Sequence, residues 1–200
     1  MSCFGSCTKK EKNIAFDFFG INVEEYKDLI PIAHDYALRI KDLDFEIGTI
    51  LYGYPLFFLN ASGQMLADLL NEKGMFSEVK SDSFMWCLVT DTHTKIYFIN
   101  ENNAWRVYKA SQVYVDNSIS FGVINIDLSY EKIKNSKKIG MVESTFFAED
   151  IGTGTNYVVL ETNNGEFVIP YFNNPSISSF IDGEIYTSKE MIDEMKFRYN

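Results

Sequence analysis

From Phe76 onward the chain is written in short runs of aromatic and β-branched residues that alternate with polar ones, each run closed by turn residues. No other feature constrains the fold as much. Period-two alternation over stretches this short builds antiparallel strands and leaves no room for long helices. Strands are expected at Phe84–Thr90, Lys95–Asn100, Ala104–Lys109, Gln112–Asp116, Ser120–Leu128, Ile139–Ala148, Tyr157–Thr162 and Glu166–Phe172. Asp91-Thr92-His93-Thr94, Glu101-Asn102-Asn103 and Asp116-Asn117-Ser118 read as turns between them. Asn164-Gly165 is the preferred centre of a type I′ turn, where both central residues need positive φ. Pairing outward from it sets Thr162 opposite Phe167, Leu160 opposite Ile169 and Val158 opposite Tyr171 on an inward apolar face. Pro170, on the other face, marks an edge or a strand end.

The first 75 residues read differently. Residues 1–13 are polar and are expected to fray. Asn22 with Glu25 resembles a capping box, and Tyr26, Leu29, Ile30, Ala33, Ala37 and Ile40 follow at helical spacing. Pro31 inside that run predicts a kink or a helix that starts there. The thirteen residues Ile47–Leu59 are mostly apolar but interrupted by Gly48, Gly53 and Pro55, so a buried loop or short strands are expected. Ser62 offers a cap for a short helix with Leu66, Leu69 and Leu70 inward and Gly74 as its stop. Near the other end, Thr187 and Glu190 form a second capping box, leading into a helix with Met191, Ile192, Met195 and Tyr199 on one side.

These elements give an α+β class: a helical N-terminal portion over 1–75, packed on the sheet or standing apart, and an antiparallel β domain over 76–200. The β domain is a meander of seven or eight strands with a C-terminal helix. That outline resembles a pleckstrin-homology-like barrel at the level of architecture alone.

Composition narrows the function classes. At 46% hydrophobic and 16% aromatic, the chain can fill a core without disulfide or metal. Its formal net charge of −10 argues against nucleic acid, whose phosphates need clustered Lys and Arg, and the basic tract Lys132, Lys134, Lys137 and Lys138 is short. The same field opposes anionic lipid and steers a basic partner inward. Cysteines at 3, 7 and 87 are too few and too uneven for a disulfide framework, which predicts a reducing, cytoplasmic setting. No apolar run reaches the ~18–20 residues of a membrane span, and no secretory h-region is expected.

Candidate chemistry is sparse. His34 lies beside the apolar stripe of the first helix and reads as a partly buried structural histidine. His93, in a turn, and Cys87, in the strand before it, are the one Cys/His pair that a small hydrolase or transferase could use. Cys87 lies between Trp86 and Leu88, where a thiol behaves as a small hydrophobe. Cys3 and Cys7 lack two further ligands for zinc. Asp42, Asp44 and Glu46 echo a calcium loop without its glycine or terminal glutamate. Asp150 to Asn156 holds two glycines but no phosphate-loop Lys, and a strand follows it, so it reads as a hairpin loop. Cys3 and Cys7 with Lys9, Lys10 and Lys12 are the pattern of a doubly acylated membrane anchor. Asn60-Ala61-Ser62 fits a glycosylation sequon. Tyr97, Phe98, Trp105 and Tyr108 read as core and cross-strand pairs rather than a base-stacking platform.

No residue is thereby assigned to catalysis, to a cofactor or to a metal. The expectation is a non-enzymatic protein-binding or regulatory module, in its sharpest form a cytoplasmic inhibitor or immunity-type protein that covers a basic partner with carboxylates. The alternatives are a hydrolase or transferase using Cys87 with His93 or paired carboxylates, and a peripheral adaptor anchored through Cys3 and Cys7.

Overall fold

The computed structural model describes residues 13–39, 48–92, 94–112, 115–116, 119–120, 122–173 and 179–199. Three helices open it: α1 (Ile14–Phe18), α2 (Val23–Tyr26) and α3 (Leu29–Arg39). Asn22 caps α2 through its side chain, as its spacing predicts. Pro31 falls in the first turn of α3, where a missing N–H costs nothing because first-turn donors have no intrahelical acceptor. A strand, β1 (Ile50–Leu59), follows, then α4 (Gly63–Lys73), whose C-cap Gly74 adopts φ +82° as a helix stop requires.

β1 is one of the interior strands, not a broken loop. It pairs antiparallel with β2 (Lys80–Thr90) on one side and parallel with β7 (Val142–Asp150) on the other. Its glycine and proline fit because of where they lie. A Cβ at Gly53 would collide with the Leu88 side chain and lie 3.0 Å from the Tyr26 ring, so the gap lets α2 approach the sheet. The remaining strands are β3 (Thr94–Glu101), β4 (Ala104–Gln112), the small pair β5 (Val115–Asp116) and β6 (Ile119–Ser120), then β8 (Thr155–Thr162), β9 (Gly165–Tyr171) and β10 (Tyr186–Thr187). The main sheet has eight strands in the order β10-β9-β8-β7-β1-β2-β3-β4. Two antiparallel meanders thus meet at the parallel β1–β7 seam, and the sheet is open, with β10 and β4 at its edges. The residues expected to be helical and those expected to form the meander share this one sheet.

Two other expectations change. Ser120–Leu128 is not a strand: Asn125 caps α5 (Ile126–Asn135) by accepting from Leu128 N–H, and Ile126, Ser129 and Ile133 are buried at helical spacing. The β8–β9 hairpin keeps its two-residue loop but turns one residue earlier than predicted, with Thr162 opposite Gly165 and Leu160 opposite Phe167. Asn163 and Asn164 form the turn without positive φ, and the glycine at φ +111° follows it. Their side chains explain the shift: Asn163 accepts from Met141 N–H and Asn164 donates to Lys138 C=O, tying the turn to the approach of β7. The type I′ geometry occurs instead at Asn102-Asn103, with φ +54° and +62°, between β3 and β4.

The register divides the sheet into two faces. The first bears Tyr52, Tyr54, Cys87, Tyr97, Phe147, Val158 and Leu160, and is covered by α1 and α5; Phe16 meets Tyr52 edge to ring and Phe19 packs tilted on Phe147. The second carries two separate covers. α2 and α3 lie over the β1–β4 half, with Tyr26 against Trp86. α4 and α6 (Ser188–Tyr199) lie over the β7–β9 half, where Leu66, Leu70, Met191 and Met195 pack on Val159 and Val168. α6 opens with the predicted box: Thr187 N–H donates to Glu190, and Glu190 N–H to Thr187 Oγ1.

A candidate binding groove at the open edge of the sheet

β4 ends the sheet, and among the described residues no strand pairs with its outer edge. Its sequence would alternate simply but for one irregularity. Tyr97 pairs with Lys109 while Phe98 pairs with Val107, so Tyr108 is an extra residue, a β-bulge. Two consequences follow. Trp105 and Val107 face the second side of the sheet, toward α3, while Tyr108 stands 57% exposed at the edge. Lys109 is turned to the first side, beside Tyr97.

Between α3 and β4 lies a shallow groove of about 340 Å³. Ile32 and Tyr36 from α3 and Trp105 and Val107 from β4 make its apolar floor, each half-buried. Asp35 and Arg39 stand at its rim; Arg106 borders it, but its side chain alternates with those of Trp105 and Val107 and turns to the first face, where it meets Glu101. Arg39 pairs with Asp35 one helical turn back at 2.5 Å, and Arg106 makes a two-pronged pair with Glu101 at 2.6 and 2.5 Å. The Arg106 guanidinium holds the Glu101 carboxyl below the usual carboxylate range, and Glu101 in turn raises Arg106. Both pairs are more than half exposed, so neither holds its arginine strongly. Arg39 and Arg106 are two of only three arginines in a chain of net charge −10. Trp, Tyr and Arg are the residue types that dominate binding energy at protein interfaces.

Behind β4, on the first face, lies a polar cluster, buried except for Lys109, that the sequence did not suggest. The sheet curls so far that Lys109 Nζ comes within 3.5 Å of Glu149 on β7, with three strands between them in sheet order. Lys95 is 3% exposed and donates to Gly122 C=O at 2.9 Å; Asn156 donates to the same carbonyl at 2.6 Å. Lys109 lies 4.4 Å from the Tyr97 ring centroid. Tyr52 OH holds Ile124 C=O and Tyr171 OH holds Asn125 C=O. Four side chains thus pin residues 122–125 across the sheet, which supplies the backbone acceptors there with donors no strand provides. Glu149 Oε2 and Asn156 Oδ1 are buried without a hydrogen-bond partner among the described residues. Burial lowers Lys95 and pushes the Cys87 thiol up to about 12.

The residues singled out for chemistry are not gathered here. Cys87 is fully buried, and its raised thiol is the opposite of an activated nucleophile. His34 is exposed on α3, not partly buried, beside a second shallow groove formed by Ile30, Gly48, Thr49 and Ile50. Its position turns it away from the α3 stripe of Leu29 and Ala33. His93, Cys3, Cys7, Lys9, Lys10, Lys12, Asp42, Asp44 and Glu46 lie outside the described residues. The Asp150–Asn156 loop is a hairpin turn as expected, braced by its own side chains. Asp150 accepts from Gly152 N–H and Thr153 Oγ1, and a Cβ at Gly152 would come 2.7 Å from Ser62. In the basic tract, Lys132 pairs with Glu184 and Lys138 donates to Ile185 C=O. Among the described residues no group of three His, Cys, Asp or Glu side chains could hold a metal ion, and no helix is long and apolar enough to cross a membrane. Comparison with protein-family models, characterised proteins and solved structures gives no match.

Proposed function

We propose that this chain is a non-enzymatic protein-binding module whose docking site is the α3–β4 groove. The observation that carries the reading is the coincidence of an unpaired edge strand with an aromatic, arginine-rimmed furrow beside it. A soluble domain normally covers or blunts such an edge. Here the half-buried Trp105 and Tyr36 side chains offer rigid anchors at low entropic cost. The buried thiol at Cys87 weighs against the alternative of a cysteine hydrolase. A pleckstrin-homology-like reading of the architecture would need β4 and β10 to approach closure, and the open strand order lends it no support. The inhibitor version of the proposal draws on the overall acidity, which steers basic partners from a distance.

Photo-crosslinking from inside the source cell tests the site. A photoreactive amino acid at Tyr36 is expected to give a discrete protein adduct that Trp105→Ala suppresses. The same group at Phe197, which is 84% exposed on α6, is expected to give none. Adducts that form equally from both positions, or from Phe197 alone, would refute the assignment of the groove.

A further inference from the structure

We infer that the second face of the sheet carries a docking site for an arginine side chain of a basic partner protein: a cage of Phe57, Phe84 and Phe146 in which the chain's own Lys80 is seated until the partner displaces it. The site lies on β1, β2 and β7 and does not depend on the α3–β4 groove.

The register supplies the rings. Phe57 and Phe84 are cross-strand partners on β1 and β2, with centroids 5.6 Å apart. Phe146, on the neighbouring β7, stands at 88° to Phe57 at 6.3 Å. Trp86 meets Phe84 from the other side and packs against Tyr26 of α2, while Phe57 and Phe146 border the cluster under α4 and α6. The row of rings therefore crosses the seam between the two helical covers, and at its middle Phe84 is 40% exposed. Into the angle between Phe57 and Phe146 reaches the half-buried Lys80, whose strand partner is Leu59. Its Nζ lies 4.6 Å from the Phe57 centroid and 4.5 Å from that of Phe146. Both distances fall within the range in which a cation is held by the negative face of a ring.

Lys80 marks what the site accepts. Acidic side chains outnumber basic ones 28 to 18, yet among the described residues the Lys80 ammonium makes no ion pair and no hydrogen bond, and two rings are its partners. An ammonium is compact and strongly hydrated, so seating it on rings forgoes water. A guanidinium is flat, more weakly hydrated and stacks on aromatic faces. Exchange returns the Lys80 head to water on its flexible stem and moves the less hydrated cation onto the rings. Phe84 then widens the floor for the guanidinium plane, since among the described residues no cation lies over it. The net charge of −10 draws arginine-bearing surfaces toward the molecule from a distance. An acidic guest would pull the Lys80 ammonium away without filling the space it leaves.

The ε-methylene protons of Lys80 report the exchange, because protons held over a ring face are shifted upfield in the NMR spectrum. The probes are the peptide acetyl-Gly-Arg-Gly-Arg-Gly-amide and a twin of equal charge with lysine at both arginine positions, titrated into the whole protein at fixed ionic strength. In the free protein the Lys80 signals are expected upfield, and the arginine peptide is expected to move them to the position of a solvated lysine. The lysine twin is expected to need about threefold or more the concentration, the factor that a modest difference in cation–ring attraction produces. Lys80→Gln, which removes the seated cation, is expected to bind the arginine peptide about threefold or more tightly, and Phe84→Leu to weaken it by a similar factor. Circular dichroism checks that both variants fold, and the wild-type signals decide the matter without them. Lys80 signals that stay upfield while other resonances report saturation would place the peptide elsewhere and overturn the site. Equal response to the two peptides would overturn the selection of arginine. Unchanged affinity in a folded Lys80→Gln variant, or no binding at all, would overturn the exchange. An adduct at Tyr36 alongside any of these failures leaves the groove standing, and exchange at Lys80 without that adduct leaves this site standing.

Discussion

At the level of single residues, the fold depends on carboxylates the sequence gives no reason to single out. Glu166 is buried under α4 and α6, and accepts from Phe76 N–H at 2.6 Å, Ser77 N–H at 2.9 Å and the Ser188 hydroxyl. It thereby joins the turn after α4, strand β9 and the start of α6, three segments far apart in the chain. Glu166→Ala leaves two backbone donors short of their acceptor and is expected to cost about 2–4 kcal/mol in urea unfolding, with Glu166→Gln costing about half. A loss below ~1 kcal/mol for the alanine variant would contradict that role. Asp182 works in the other direction. Desolvation raises its carboxyl to about 6, although the Phe172 N–H it accepts opposes the rise. The native state therefore holds a proton that the unfolded chain releases near pH 4, so this group's contribution is full at low pH and is lost as pH rises toward 6. Asp182→Asn keeps the acceptor and removes the charge. The variant's Tm is expected to fall less than the wild type's between pH 4 and 7 and to lie above it at pH 7; superimposable pH profiles would show that Asp182 does not titrate this way. Neither role could be read from the sequence, because these carboxylates accept from backbone groups 10 to 90 residues away.

Among the elements, what was legible was local and what was lost was long-range. The caps at Asn22 and Thr187, the glycine stop at Gly74 and most of the strands after Phe84 follow from signals within a few residues. β1 was obscured because its glycine and proline look like breakers until α2 is seen to need the room at Gly53. α5 was obscured because Ser120–Leu128 alternates, while the Asn125 cap and the spacing of Ile126, Ser129 and Ile133 argue for a helix on fewer residues. The hairpin after β8 slipped because side chains of Asn163 and Asn164 bond the approach to β7, which no local turn rule includes. Gly53→Ala tests the close approach directly. It is expected to destabilise by about 1–3 kcal/mol through overpacking against Leu88 and Tyr26. Leu88→Val in the same chain should return part of that loss, whereas strictly additive costs would mean the two positions do not compete for space.

For the molecule as a whole, the two helical covers and the curl of the sheet leave β4 as the place where an ordered edge and an aromatic furrow meet solvent. The candidate site was the least legible feature of all: Tyr36 and Trp105 are 69 positions apart, and Trp105 reads as a core residue until its strand is known to be the last. The bulge at Tyr108, which separates the furrow-facing Trp105 and Val107 from the inward-turned Lys109, leaves no mark in the alternation. Amide hydrogen exchange, followed across the protein with and without the partner captured by crosslinking at Tyr36, tests this most directly. The account predicts slowed exchange confined to 104–112 and the adjoining face of α3, with α4 and α6 unchanged. Unaltered exchange along β4 while that partner is bound would place the docking surface elsewhere and contradict it.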